Sequence, residues 1–162
     1  PAEAFTGIFQ AARRVGLRTV AHGGEFDGAR SVWKAMELLG AERIGHGIRS
    51  CEDPLLLATL RRRRIPLEIC PTSNLRTGVV KTWREHPLPR IVAAGLRVTV
   101  NTDDPAMFRT SLSSEFDALR RRLGLGAQQV RRIQMEAIRA SFLSAFEKAR
   151  LLRQWKGGKS LG

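Results

Sequence analysis

Arg97-Val-Thr-Val-Asn-Thr-Asp-Asp-Pro105 is the stretch whose reading decides the fold. Val98, Thr99 and Val100 favour a strand, and Pro105 forbids its continuation, so Asp103 and Asp104 are left at the carboxyl end of an apolar strand. Two adjacent carboxylates at the mouth of a core are costly unless something positive or polar holds them. A metal ion, a protonated base or a polar ligand would each serve.

The same pattern recurs upstream. Leu17 to Ala21 reads as a strand running into His22-Gly-Gly-Glu25, and Arg43-Ile-Gly-His-Gly47 as a second. Ile65 to Cys70 is a third strand, stopped by Pro71 and followed by the polar run Thr72-Ser-Asn-Leu-Arg-Thr-Gly78. Helices alternate with these strands: residues 4–14, a segment opened by Asp27 and Gly28 and ended by Gly40, Asp53-Pro54 through Arg64, and Pro87 through Ala94. Beyond the Asp pair, Ser113 or Ser114 should cap a helix carrying Phe116, Leu119 and Leu123. Two more helices are predicted near 127–140 and 142–155, the latter with Phe142, Phe146, Ala149 and Leu152 inward. Residues 156–162 read as a loose tail.

Strand and helix alternating through short connections call for a parallel α/β sheet covered by helices. All carboxyl ends then lie on one edge. His22, Glu25, His46, Ser73, Asn74, Asp103 and Asp104 should therefore converge on one rim, where β/α barrels carry their chemistry.

The 162 residues allow one domain with a real core, and 43% apolar residues argue against pervasive disorder. The 28 Lys and Arg against 15 Asp and Glu give +13, which suits a nucleic-acid or acidic-membrane surface. The arginines, however, cluster on predicted helices at 61–64, 120–122 and 131–132, with no tyrosine and few aromatics to stack bases, so a solvated basic exterior is the better reading. Cys51 and Cys70 fit neither a disulfide framework nor a zinc knuckle, which points to reduced thiols. With no signal-peptide pattern and no membrane-spanning run, a cytoplasmic location is expected.

A histidine and an aspartate presented from two strands of one rim are suitable ligands for a divalent ion. Glu25, three residues beyond His22, is free to serve as a proton donor with a raised pKa. His46, between two glycines, sits where backbone and ligand can approach closely and could orient or deprotonate an attacking water. Asp104 could accept a hydrogen bond from a substrate. For Ser73 and Asn74 a capping or turn role is weighed slightly above direct catalysis, and His86 before Pro87 reads as serving a helix start.

His22-Gly-Gly-Glu25, Arg43-Ile-Gly-His-Gly47, Cys70-Pro-Thr-Ser-Asn74 with Thr77-Gly78, and Asn101-Thr-Asp-Asp-Pro105, in this order, resemble the carboxyl-terminal half of the adenosine deaminase family. That family belongs to the metal-dependent amidohydrolases. The resemblance implies half of a (β/α)8 TIM-type barrel over residues 1–155, with strands 5 to 8 and extra carboxyl-terminal helices. It implies zinc, one ion per complete site, with His22 and Asp103 as ligands, Glu25 as proton donor to the purine ring nitrogen, His46 beside the attacking water, and Asp104 as the purine-binding carboxylate.

The implied reaction is hydrolytic deamination of adenosine or a related adenine compound. Adenine or aminodeoxyfutalosine is the alternative substrate, and a basic nucleic-acid-binding module or an inactive half-barrel the alternative of another class. The family usually has His-Ala-Gly-Glu where Gly23 stands, a small-for-small change expected to alter only loop stiffness. It also takes two ligands from a His-x-His pair that is not among His22, His46 and His86. The 162 residues alone are therefore expected to bind zinc weakly and to be inactive, and to require the amino-terminal half of the barrel or self-association.

Overall fold

The computed structural model describes residues 2–157. A 3-10 turn over Ala2–Phe5 leads into α1 (Thr6–Arg14), and four β/α steps follow. The strands are β1 (Val20–Gly23), β2 (Arg43–His46), β3 (Leu67–Ile69) and β4 (Val98–Val100), all parallel and in sequential order β1-β2-β3-β4. Between them lie α2 (Ala29–Glu37), α3 (Pro54–Arg63), α4 (Pro71–Arg76) and α5 (Leu88–Ala93). After β4 come α6 (Pro105–Phe108), α7 (Leu112–Arg121), α8 (Ala127–Ala140) and α9 (Ala145–Gly157).

Strand alternation separates two faces. Ala21, Ile44, Leu67 and Val98 form one register row, all buried against Val32, Leu56, Leu60 and Ile91 of the helical layer. His22, Gly45, Glu68 and Thr99 form the next row and face the other way. That opposite face is polar: Glu68 pairs with Arg43 of β2 at 3.0 Å, and Arg43 stacks 3.9 Å over the Phe142 ring. Among the described residues β1 and β4 each pair with one strand only, which leaves both outer edges open.

Several local expectations are confirmed by their chemistry. Asp53 caps α3, accepting from the N–H groups of Leu55 and Leu56, with Pro54 in the first turn. His86 Nδ1 accepts the Leu88 N–H at the start of α5, the helix-start role read from its place before Pro87.

Others are corrected. The polar run after Pro71, given no element above, forms helix α4 through Arg76, because proline is well placed at a first helical position. The cap of α7 is Ser111, with Ser114 completing the capping box, instead of Ser113 or Ser114 alone. Gly28 caps α2 without help from the Asp27 side chain, while Ser31 takes the Gly24 N–H at 2.6 Å. β1 starts at Val20, and Leu17 stays exposed. Phe142 precedes α9, and Phe146 is 72% exposed, because among the described residues no element covers that side of the helix. α9 extends through Gly157, two residues into the expected tail, and the remainder of that tail lies outside the described residues.

Candidate functional site

The parallel sheet brings the carboxyl ends of its strands to one rim, and six of the seven residues expected there make one connected cluster. His22, the penultimate residue of β1, stands in the row that faces away from the helices, and its ring lies across β2 over Gly45. A Cβ on Gly45 would stand 2.5 Å from His22 Cδ2, so only glycine leaves room for the ring there. Glu25, on the loop that follows, places Oε2 3.7 Å from His22 Nδ1 and 3.3 Å from His46 Nε2. The His22 and His46 rings meet edge to face with centroids 4.8 Å apart.

His46, the last residue of β2, and Asp103, three residues beyond β4, both lie in the left-handed region, each at φ 60°. Such backbone is uncommon for residues other than glycine, and here it turns each side chain toward the cluster. Asp103 Oδ2 lies 3.8 Å from His46 Nε2 and accepts a 2.6 Å hydrogen bond from Ser73 Oγ. On its other side, His46 Nδ1 is 3.1 Å from Asn74 Nδ2. With two carboxylates at Nε2, the neutral ring is best served by carrying its proton there, so Nδ1 accepts and the Asn74 amide donates. Ser73 and Asn74 are fully buried and hold two site residues in place, a more specific task than turn stabilisation.

The electrostatics follow from burial. His46 is depressed to about 4, mainly by desolvation and by the neighbouring His22, with Asp103 opposing, so it is neutral at pH 7. Glu25 is raised above the ordinary carboxylate range by desolvation, with His22 opposing and Asp103 reinforcing.

Asp104 stands apart. Its Oδ1 accepts the Met107 N–H and so caps α6, and the residue is exposed beside the cluster without joining it. Two contributors carried no signal that sequence reasoning used. Cys70 lies within reach of His46 and Asp103, its Sγ within 4.8 Å of their ligand atoms. Burial, Asp103 and Glu115 push its thiol up to about 12, which leaves it a neutral neighbour. Glu115, wholly buried on α7, accepts from the Thr72 N–H of α4. Gly23 is also more constrained than a small-for-small exchange suggests, since a Cβ there would lie 3.0–3.2 Å from the backbone of Ser31 and Val32.

The donors that converge are imidazole nitrogens and carboxylate oxygens, the types a borderline divalent ion prefers. His22, Glu25 and His46 present ligand atoms within 4.8 Å of one another, as do His46, Cys70 and Asp103. His22 is the most open of them, with 68% of its side chain exposed, and it borders a groove of about 830 Å³ beside the free edge of β1.

The profile of a family described as "Adenosine deaminase" matches residues 1–156. Over 147 residues the chain is 48% identical to an aminodeoxyfutalosine deaminase of Streptomyces coelicolor, covering 91% of this chain and 38% of that protein. Among solved structures, an adenine deaminase of Arthrobacter aurescens superimposes with a TM-score of 0.93 at 38% identity, over 97% of this chain and 48% of the other. An amidohydrolase of Burkholderia ambifaria with bound Zn superimposes with a TM-score of 0.90 at 28% identity, over 97% and 44% respectively. The chain thus spans less than half the length of each of these relatives. Its four parallel strands and their helices make up half of a β/α barrel.

Proposed function

Because the chain belongs to the adenosine deaminase family, we propose that it forms the carboxyl-terminal half of an enzyme that hydrolytically removes the amino group of an adenine-containing compound and releases ammonia. The observation that carries this reading is the contact of one buried imidazole, His46, with two carboxylates and a second imidazole at the strand ends. His22 and Asp103, which border His46 from β1 and from the loop after β4, are the residues that would hold a divalent ion, with zinc as the ion of choice for this donor set. A bound zinc ion supplies Lewis acidity that makes water nucleophilic near neutral pH.

The chain's own residues supply the rest. Glu25 holds a proton more firmly than an ordinary glutamate, for the reasons of burial given above, and delivers it to the ring nitrogen as water adds to the amino-bearing carbon. His46, locked by Asn74, presents Nε2 to the incoming water and steers it. Ser73 holds Asp103 through a charge-assisted hydrogen bond, fixing one carboxylate oxygen. Asp104, whose second oxygen has no protein donor within hydrogen-bond distance among the described residues, is placed to accept from the purine. Of the two protons that water brings, one leaves with the amino group as ammonia and the other returns to Glu25 in place of the one given to the ring nitrogen, so water in and ammonia out balance the reaction.

Both open sheet edges and the groove beside β1 support a requirement for a further half-barrel, from the same polypeptide or a second copy, before the site is complete. Ammonia release by the full-length protein from adenosine, adenine and aminodeoxyfutalosine tests the reading and ranks the substrates. Activity abolished by a chelator, restored by zinc and absent in His22→Ala and Asp103→Ala is expected. Full activity in both variants would overturn the ligand assignment, and no release from any of the three compounds would overturn the reaction.

A further inference from the structure

Glu115 has no place in the chemistry described above, yet it is one of the most deeply buried charged side chains in the protein, with 0% exposure. Among the described residues no cation lies within ion-pair distance of it. A carboxyl group in such a position is costly unless its oxygens are satisfied by donors. They are: Oε2 accepts the backbone N–H of Thr72 at 3.1 Å, and Oε1 accepts the Thr110 hydroxyl at 2.5 Å. The Thr72 N–H is one of the orphan donors of α4's first turn. It is left open because Cys70, in the cap position, offers no side-chain hydrogen bond and Pro71 has no N–H to give.

The two residues that follow Thr72 are Ser73, bonded to Asp103, and Asn74, bonded to His46. Thr110 belongs to the segment that continues from Asp103 through α6. One carboxyl group therefore ties the helix that orients both site residues to the chain that carries one of them. We propose that Glu115 is a positioning residue of the deaminase site, acting through α4 on Asp103 and His46 without touching the substrate. The inference rests on the functional reading above, but it makes a structural claim that can be checked without turnover.

Glu115→Leu removes both hydrogen bonds at nearly constant volume. Glu115→Gln keeps them, because its amide oxygen takes the Thr72 N–H and its NH2 group donates to a reversed Thr110 hydroxyl. Thr110→Val, which removes one of the two Glu115 bonds together with the exposed Thr110–Ser114 hydroxyl contact, guards against a failure of Glu115→Leu to fold. The first readout is the pair of imidazole 15N resonances of His46 in the metal-free full-length protein at pH 7.5, which are well separated while Asn74 holds one tautomer.

In Glu115→Leu the two resonances should move toward each other, in Thr110→Val by less, and in Glu115→Gln they should stay. In the full-length enzyme, Glu115→Leu should lower kcat on the order of 10- to 100-fold, the usual effect of losing a supporting residue of this kind. KM should stay within about twofold, and Glu115→Gln should restore kcat to within about threefold. An unchanged His46 spectrum in folded Glu115→Leu and Thr110→Val, with only the melting temperature lowered, would overturn the proposal. An enzyme without deaminase activity would leave the spectral test intact, so the two failures are distinguishable.

Discussion

Gly45→Ala should separate function from stability at this site. An ideal Cβ at residue 45 stands 2.5 Å from His22 Cδ2 and 3.1 Å from its Cγ and Nε2. Non-bonded carbons rest about 3.5–4.0 Å apart, so the ring must retreat by about 1 Å. Gly45 lies in a strand and not at positive φ, so alanine brings no backbone strain of its own. Overpacking a closed core costs about 1–3 kcal/mol. Here the obstructed group is a ring with 68% of its side chain exposed, and it can swing outward. The loss in unfolding free energy should therefore stay below about 1 kcal/mol, a value set by the lower end of that overpacking range.

The loss of function should be larger, because a reacting or ligating group misplaced by about 1 Å costs on the order of 10²-fold. Zinc affinity by chelator competition and kcat/KM for ammonia release, both on the full-length protein, provide the assay, with urea unfolding of the same samples as control. Retention of zinc affinity and turnover within about twofold would refute the argument that His22 works from a floor only glycine provides. A stability loss above about 3 kcal/mol, beyond the usual overpacking range, would refute the claim that the ring is free to move.

Ser73→Ala leaves Asp103 Oδ2 without its 2.6 Å donor and should weaken zinc binding about 10- to 100-fold, measured by the same competition; unchanged affinity would remove Ser73 from the site. Leu67→Ala, at a fully buried position in the middle of the sheet, should lower the unfolding free energy by about 2–5 kcal/mol in urea titrations, and a loss under about 1 kcal/mol would show that this core is not closely packed. His46 and His86 are each held down to about 4 by burial, against about 6.5 in the unfolded chain, so the unfolded state binds more protons between those values. Stability should accordingly be lost as pH falls from about 6.5 toward 4, by at most about 1.4 kcal/mol per pH unit for each histidine. His86→Asn, which keeps an acceptor for the Leu88 N–H, should remove its share of that slope, and an identical slope in the variant would contradict the burial argument.

The order and type of the elements were legible because punctuation and periodicity act locally. Asp53-Pro54, Gly95 and Pro105 mark boundaries whatever the rest of the chain does, and Leu67 to Ile69 or Val98 to Val100 form a strand by composition. Legibility failed where a second element decides. The inward face of α9 was read from spacing, but Phe146 is exposed because, among the described residues, nothing packs on it. The Ser111 cap was missed because several serines in a row offer the same local chemistry, and only the path of the backbone selects one.

By itself the sequence determined that four strands lead into His22, His46, Cys70-Pro71 and Asp103, and a parallel sheet is enough to carry these residues to one rim. What it could not determine is which atoms meet there. That Glu25 faces His46, that Asn74 fixes the His46 tautomer, that His22 rests on Gly45 and that Glu115 anchors α4 all depend on contacts between residues up to 43 positions apart. Such contacts are set by register between strands and by packing of helices across them, and neither is written in any single stretch of chain.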